Sequence, residues 1–329
     1  MITKIIGTGS FLPKTVVTND DLSKIMDTSD EWIASRTGIR ERRLVKEETT
    51  ASMSAEASKR AMEKAHVTAE EIDLIIVGTI TGDYVTPSTA CEIQAEIGAV
   101  NAAAFDINAA CSGFMFALNT AHAYLQTGIY KTALVLGAET LSKIMDWNDR
   151  STCVLFGDGA GAAVVRAYAD AEEKEAGSRG LLSFEQGSDG AKGKVLACRD
   201  RVNNNPLVKN EIDLDYVYMD GQEVYKFAVS TVPASIHRVL DKAGLTTSDI
   251  KYFVLHQANI RIIQSVAKRL KESEDKFPLS LDHCGNISAA SVPILLDEMN
   301  QKGMLQKGDK IVMSGFGAGL TWASAVIEW

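Results

Sequence analysis

The sequence predicts an α/β fold that is built as two similar halves. Residues 58–73 align with residues 236–251, which lie 178 positions further along the chain. A second pair of segments, 130–137 and 309–315, repeats at 179 positions. The first pair combines a helical pattern, a turn and a buried strand, and a period of this length is too long for a solenoid. The repeat therefore predicts two α/β units that pack about a pseudo-twofold axis.

The boundary between the predicted halves lies where the sequence turns polar. We expect one half at 1–170 and the other at 171–329. Between Ala171 and Asp215 we expect connecting loops around a single strand at Leu181–Phe184.

Buried strands in the first half are indicated by three short apolar runs. Runs of this kind are typical of strands that helices cover on both faces of a sheet. The three runs are Leu74–Val77, Ala102–Ile107 and Ala133–Leu136.

Helix ends are marked by capping residues. The segment Thr28–Glu31 has a capping-box pattern before Trp32, and Gly38 is placed to end that helix. Pro87 suits the first turn of another helix, which we expect to end near Gly98.

The composition is ordinary for a globular protein. Of the 329 residues, 46% are hydrophobic and 23% are charged, and a formal charge of -9 argues against nucleic acid as a partner. No apolar run approaches the ~18 residues that a membrane span needs. The five cysteines are scattered without a C-x-x-C pair, which indicates neither a zinc site nor a disulfide framework. We expect a cytoplasmic protein that binds no metal and contacts no membrane.

The candidate nucleophile is Cys111, in the segment Ala109–Met115. An apolar run precedes it and a helical pattern from Phe114 to Leu125 follows, so Cys111 is predicted at a strand-to-helix junction. A helix N-terminus favours a thiolate, and the small neighbouring residues leave room for a substrate. The alternative is an inert packed thiol, because free cysteines are often buried.

Two further polar residues follow apolar strands at related positions of the second half. The repeat relates Gly78 to His256, and it places Asn286 shortly before the counterpart of Cys111, near Ala290. Pseudo-symmetry would point the three side chains to one place. A thiol, an imidazole and a carboxamide together are typical of acyl transfer, in which the last two stabilise an oxyanion or enolate. Taken singly, His256 reads as a core histidine and Asn286 as a helix cap.

Six motifs are specific when they are taken together. They are Ala110-Cys111-Ser112-Gly113-Phe114, His256-Gln257-Ala258-Asn259, Gly285–Ser291, Gly315–Trp322, Asp30–Ile39 and Phe156–Gly161. With these motifs the chain resembles, from Ile2 to Trp329, the β-ketoacyl-ACP synthase III family of bacterial fatty-acid synthesis. The resemblance implies a thiolase-like, duplicated α/β/α/β/α fold, which agrees with the repeat.

The resemblance implies a ping-pong acyltransferase reaction. Cys111 would take an acyl group from a short acyl-CoA, and malonyl-ACP would then lose CO2. The enolate, stabilised by His256 and Asn286, would attack the acyl-cysteine to give a β-ketoacyl-ACP two carbons longer. The backbone N–H groups of Cys111 and Ala318 would form the oxyanion hole.

Two residues depart from the family pattern. Ala318 stands where glycine is usual, and an alanine would be strained if that position required a positive φ. Ile287 stands where threonine is usual, which removes a hydroxyl beside Asn286 but no catalytic group.

The resemblance also assigns the CoA contacts. Trp32, Arg36 and Arg150 would hold the adenine, whereas Asn259 and the backbone near Gly221 would contact the pantetheine arm. Trp32 and Arg36 are four positions apart and so share a helix face, although Trp32 alone reads equally as a core residue.

Acyl carrier protein is acidic, so a chain with this net charge needs a local basic patch to bind it. The residues that match the docking surface of the family are Lys226, Arg261, Lys268 and Arg269. Each of them alone reads as an ordinary surface residue. The acyl pocket would include Phe156 and, across the interface of a homodimer, Thr86, whose small side chain leaves room for branched or longer primers. No cofactor is implied beyond the CoA of the substrate.

Other functions stay open. A starter synthase for a secondary metabolite or polyketide would keep the same three residues with a different acyl pocket. From another class, the chain would be a cysteine-dependent acyl hydrolase or an acyl-CoA-binding protein, although the complete set of Cys111, His256 and Asn286 argues against simple loss of activity. Cys284 reads as structural, and Gly157–Gly161 lacks the Lys-Ser/Thr pair of a phosphate-binding loop.

Overall fold

The computed structural model describes residues 1–169, 179–200, 206–207 and 216–329. The strands are β1 Ile2–Phe11, β2 Thr15–Thr18, β3 Glu41–Leu44, β4 Leu74–Gly78, β5 Ala103–Ile107, β6 Thr132–Thr140, β7 Asp158–Tyr168, β8 Gly180–Ser188, β9 Leu196–Ala197, β10 Tyr218–Met219, β11 Tyr252–Leu255, β12 Lys310–Gly317 and β13 Thr321–Glu328. The α-helices are α1 Asn19–Leu22, α2 Asp30–Thr37, α3 Thr50–Ala65, α4 Thr89–Ile97, α5 Gly113–Gln126, α6 Gly221–Ala243, α7 Ile260–Leu270, α8 Leu281–Cys284 and α9 Ser291–Gln301.

Two mixed sheets share one strand order. The first runs β1-β7-β6-β4-β5, and the second runs β8-β13-β12-β11. In the first sheet β6 and β4 are parallel and β7 is antiparallel to both of its neighbours, and the second sheet repeats this with β12, β11 and β13. The duplicated α/β fold predicted from the repeat is confirmed.

The chain forms five layers, because helices cover both faces of each sheet. Helices α5 and α9 lie between the sheets, where Phe114 and Leu295 belong to one core. In β4, Ile76 faces this central core, whereas Ile75 faces the outer helices α3 and α4. Alternate residues of a strand point to opposite faces, so one strand serves two cores. A third core, which includes Phe253, packs under α6 and α7.

Three local predictions are corrected. β5 is not buried on both faces, since it is the edge strand of its sheet and Ala103 is exposed. Pro87 precedes its helix, which is capped by Ser88 and ends at Gly98 as expected. The helix after Thr28 is capped by the Ser29 hydroxyl alone, without the reciprocal bond of a capping box.

The second half departs from the repeat where β5 would recur. The short helix α8 occupies that position, and the residue after its cap, Asn286, makes an isolated parallel bridge with Phe156. The strand predicted at 181–184 is longer, Gly180–Ser188, and joins the second sheet. It is not the single strand expected between 171 and 215, because β9 also lies there. Residue 170 lies outside the described residues, so the division at 170 and 171 stays a prediction.

Among the described residues, no helix combines the length and the apolar character that crossing a membrane requires.

Candidate active site

Two related turns lie at the candidate catalytic residues, one containing Cys111 and the other following Asn286. A 3-10 turn at Ala110–Ser112 leads into α5, and a matching turn at Ser288–Ala290 leads into α9. Ala110 and Ser288 both have a φ of 44°, and they are separated by the period of the repeat. Cys111 therefore lies just before a helix N-terminus, as the sequence predicts.

The structure brings the three predicted catalytic side chains to one cleft. Cys111, His256 and Asn286 line a space of about 650 Å³, which includes its open mouth. Phe316 and Gly317, from the end of β12, complete the wall beside the thiol.

Burial dominates the chemistry of Cys111. The pKa of the thiol is raised to about 12, chiefly by desolvation and in smaller part by the nearby Glu139 carboxylate, although the Ser288 side chain acts to lower it. The helix N-terminus is expected to favour a thiolate, but desolvation of the thiol is the larger effect on its pKa. The resting sulfur carries a proton that must leave before the sulfur can attack.

His256 is a buried, neutral imidazole. It follows β11, its backbone N–H donates to Ser314 O at 2.8 Å, and its ring meets Phe316 edge-on at 5.2 Å between centroids. Burial lowers its pKa to about 3. Its Nδ1 is buried and has no hydrogen-bond partner among the described residues. A neutral imidazole has one N–H that can donate a hydrogen bond, and it lacks the second, acidic proton of an imidazolium.

The amide of Asn286 is held in a fixed orientation. Its backbone N–H donates to Leu155 O at 2.9 Å, and its carbonyl accepts from Gly157 N at 3.0 Å. Its side-chain Oδ1 accepts from the Ser288 N–H at 2.9 Å. The capping alternative is thus partly right, because the side chain caps a short turn, but the amide NH2 group stays available as a donor.

The turn between β12 and β13 does not need a positive φ at Ala318, the position where the family usually has glycine. Ala318 is not among the residues with positive φ, so the alanine carries no strain there, and Gly319 has a φ of 133°. A Cβ at Gly317 would lie 2.7 Å from the Cys111 Cβ and 3.0 Å from its Sγ. A side chain at Gly317 would therefore displace Cys111, whereas Gly319 must be glycine because of its positive φ. Ile287, the other departure, is buried in a small apolar cluster.

Sequence reasoning missed a buried carboxylate beside the cleft. Glu139, at the end of β6, is fully buried and its Oε1 accepts from the Ser288 hydroxyl at 3.1 Å. Its Oε2 accepts from the Thr81 hydroxyl, from Ile80 N at 3.2 Å and from the Thr79 hydroxyl at 3.4 Å. The signal in the sequence was weak: a glutamate at the end of an apolar strand, three positions after Leu136.

A second, apolar cavity of about 400 Å³ also opens onto Cys111. Its wall includes Ile80, Leu141, Met145, Phe156 and Ala318. The predicted acyl-pocket residue Phe156 lines it, whereas Thr86 is exposed and does not line it within the single chain.

The residues predicted to bind CoA fall into two groups. The Arg36 and Arg150 guanidinium carbons lie 4.6 Å and 5.1 Å from the centroid of the Trp32 ring. Gly221 and Asn259 line the cleft itself, and the Asn259 side chain caps α7 by accepting from Arg261 N at 2.8 Å. The first group lies outside the lining of the cleft.

The basic residues predicted to dock the carrier protein are exposed on α6 and α7. They are Lys226, Arg261, Lys268 and Arg269. The same two helices supply Tyr225 and Ile262 to the wall of the cleft. A partner bound to these helices would therefore lie next to the entrance of the cleft.

Three side chains outside the cleft could hold a metal ion by their chemistry. The donor atoms of His283, Cys284 and Glu298 lie within 4.8 Å of one another. His283 Nε2 meets Glu298 Oε1 at 2.8 Å, and Lys302 meets the other Glu298 oxygen at 3.1 Å. These contacts hold the group together as an ion-pair network, and the absence of a bound metal stays a prediction.

Comparison with known proteins gives concordant matches. Profiles described as 3-oxoacyl-[acyl-carrier-protein (ACP)] synthase III and its C-terminal part match residues 105–190 and 240–329. A β-ketoacyl-[acyl-carrier-protein] synthase III of Clostridium acetobutylicum is 52% identical, over 99% of this chain and 98% of its own.

Solved structures agree. The 3-oxoacyl-[acyl-carrier-protein] synthase III of Aquifex aeolicus superposes with a TM-score of 0.92 at 44% identity, over 99% of this chain and 100% of the other. The priming β-ketosynthase of the R1128 polyketide pathway gives 0.90 at 36% identity, over 99% of this chain and 96% of the other.

Proposed function

The chain belongs to the 3-oxoacyl-[acyl-carrier-protein] synthase III family, and we propose that it condenses a short acyl-CoA with malonyl-ACP through an acyl-Cys111 intermediate. It is a condensing enzyme, an acyltransferase that initiates fatty-acid synthesis. The single observation that carries the proposed mechanism is the convergence of Cys111, His256 and Asn286 on one cleft.

In the first half-reaction, the Cys111 sulfur attacks the thioester carbonyl and CoA leaves. The backbone N–H groups of Cys111 and Ala318 donate hydrogen bonds to the carbonyl oxygen and stabilise the negative charge that develops on it. The contact between Gly317 and Cys111 supports this role, because it seats the β12–β13 turn directly against the sulfur. Preorganised N–H donors of this kind are worth about 10²–10³ in rate each.

In the second half-reaction, malonyl-ACP loses CO2 and its enolate attacks the acyl-cysteine. His256 and the Asn286 NH2 group donate to the enolate oxygen. The lowered pKa of His256 supports a donor role, since a neutral imidazole keeps one N–H and adds no charge. The Ser288 bond to Asn286 Oδ1 supports the amide orientation that this step needs. The chemistry draws on these groups and the substrate thioester, so the proposal includes no further cofactor.

The apolar cavity receives the acyl chain. Its lining by Leu141, Met145 and Phe156 favours an uncharged primer with a short hydrocarbon chain. We include a homodimer, in which Thr86 of a partner subunit would approach this cavity, because the exposed edge strand β5 leaves an unpaired ladder. We place the enzyme in the cytoplasm, where its five free cysteines stay reduced.

The test is a product assay with the purified chain. Acetyl-, isobutyryl- and longer acyl-CoAs are each offered with malonyl-ACP, and β-ketoacyl-ACP is measured. A β-ketoacyl-ACP two carbons longer than the primer is the expected product. Release of free acid instead would favour the hydrolase, and condensation only with unusual starter acyl groups would favour a polyketide-type starter synthase.

The adenine contact gives a separate prediction. A Trp32→Ala variant is expected to raise the KM for acyl-CoA about tenfold or more with little change in kcat, because stacking a base on an aromatic ring is worth about 1–3 kcal/mol. Both guanidinium groups lie over this ring, so the adenine of CoA can stack on the ring in place of one of them. Trp32→Phe is the matched control and should retain most of the affinity. An unchanged KM in the alanine variant would remove Trp32 from the CoA site.

A further inference from the structure

The group that accepts the proton of the Cys111 thiol during acylation has not yet been identified. Burial keeps the sulfur protonated, and His256 is too weak a base to take its proton at neutral pH. Two other side chains act on the pKa of the thiol, those of Ser288 and Glu139. Neither the Ser288 hydroxyl nor the Glu139 carboxylate has a role in the condensation as proposed so far.

These groups follow one another from the cavity into the protein. The turns that carry Cys111 and Ser288 pack against each other and both residues line the apolar cavity, where the Ser288 side chain acts to lower the pKa of the thiol. The same hydroxyl donates to Glu139 Oε1 at 3.1 Å. Ser288 and Glu139 are 2% and 0% exposed, whereas Cys111 is partly exposed, so the path is shielded from water on the Glu139 side of the sulfur.

The surroundings of Glu139 suit a carboxylate that changes its protonation state. Three donors, from Thr79, Ile80 and Thr81, face Oε2 and support the ionised form. Burial opposes that form and raises the pKa of Glu139 to about 7. Cys111 is the titratable group that faces Glu139 through Ser288, and Lys143 lies further out, on the carbonyl of Thr81. Near neutral pH this carboxylate both accepts and returns a proton.

We propose that Glu139 accepts the Cys111 proton through the Ser288 hydroxyl when the acyl group is transferred. The S–H bond breaks as its proton passes to Ser288 Oγ, while the Ser288 proton passes to Glu139 Oε1. The sulfur electron pair forms the bond to the acyl carbon, and the bond from that carbon to the CoA sulfur breaks. Glu139 then returns one proton by the same path, and CoA leaves as a thiol. Glu139 acts through Ser288 and is thus a positioning residue for the proton.

The test follows acylation of Cys111 alone, by intact-protein mass spectrometry after rapid mixing with acyl-CoA, between pH 5.5 and pH 9. The wild type is expected to fall in rate as the pH drops through about 7, and to level off above it. Glu139→Gln keeps the size of the side chain but cannot take the proton. It is expected to acylate about 100-fold more slowly at pH 7, with a rate that keeps rising about tenfold per pH unit, because only thiolate formed through solvent then reacts.

Two further variants make the result specific. Ser288→Ala breaks the path but keeps the N–H that orients Asn286, and it should show the same change in pH profile. Asp158→Asn is the matched control, since Asp158 is another fully buried carboxylate, bonded to Ser142 and Val45. It should keep the wild-type profile, whatever it does to the melting temperature.

The outcomes separate this inference from the proposed function on which it rests. An acylation rate that still levels off above pH 7 in Glu139→Gln or Ser288→Ala, whether or not the rate itself is slower, would overturn the proton path. It would leave Cys111 as the nucleophile. A wild type that forms no acyl-Cys111 with any acyl-CoA would overturn both.

Discussion

A His256→Ala variant is expected to load an acyl group onto Cys111 and then to stall. Burial lowers the pKa of His256 to about 3, so we expect the ring to act as a neutral donor and not as the base for the thiol. Removing one such donor costs about 10²–10³ in the step whose charge it stabilises. We therefore expect condensation to slow by about that factor, while acylation changes by only a few-fold.

The two half-reactions are measured separately. Acylation is followed by protein mass, and condensation by β-ketoacyl-ACP formed from pre-acylated enzyme. In the wild type the condensation step should show no titration of His256 between pH 5 and pH 8, because that range lies above its lowered pKa. His283→Asn is the control, as His283 pairs with Asp282 and Glu298 away from the cleft. An equal loss in both half-reactions would argue that His256 activates the thiol instead.

A Gly317→Ala variant is expected to lose acylation by about 100-fold or more. The added Cβ would lie 2.7 Å from the Cys111 Cβ and 3.0 Å from its sulfur, so the nucleophile or the turn must move. A displacement of about 1 Å at a reacting atom is enough for a loss of this size. The variant should still fold, because the strain is confined to one contact at the end of β12.

Ala318→Gly is the matched control for this prediction. It lies one position further along the same turn, outside the positive-φ residues, and restores the residue that is usual in the family. We expect its acylation rate to stay within a few-fold of the wild type. A Gly317→Ala enzyme that acylates normally would show that the turn does not constrain the sulfur.

The fold was predictable from the sequence because the same local pattern of helix, turn and strand occurs twice in the chain. Matched helix and strand patterns separated by 178 residues predict two sheets of one order, and the structure has them. The prediction failed at β5, where an apolar run reads as buried although its place at the sheet edge depends on strand order. Strand order is a property of the whole chain and is absent from any short window.

The convergence of the three candidate side chains on one cleft was predictable from the sequence, whereas the electrostatics of that cleft was not. Cys111, His256 and Asn286 stand out by residue type and by position in the repeat. The protonation of Cys111 depends on burial under turns that lie about 180 or more residues away along the chain. Glu139 was missed for the same reason, since only the folded chain brings it against Ser288.

The central claim is that Cys111 carries the acyl group between the two substrates. The most direct measurement is the intact mass of the protein, first with acyl-CoA and then after addition of malonyl-ACP. We expect one acyl adduct on the wild type and none on Cys111→Ala, and we expect the adduct to clear only as β-ketoacyl-ACP appears. An adduct that persists on Cys111→Ala, or that clears to free acid without malonyl-ACP, would contradict the account.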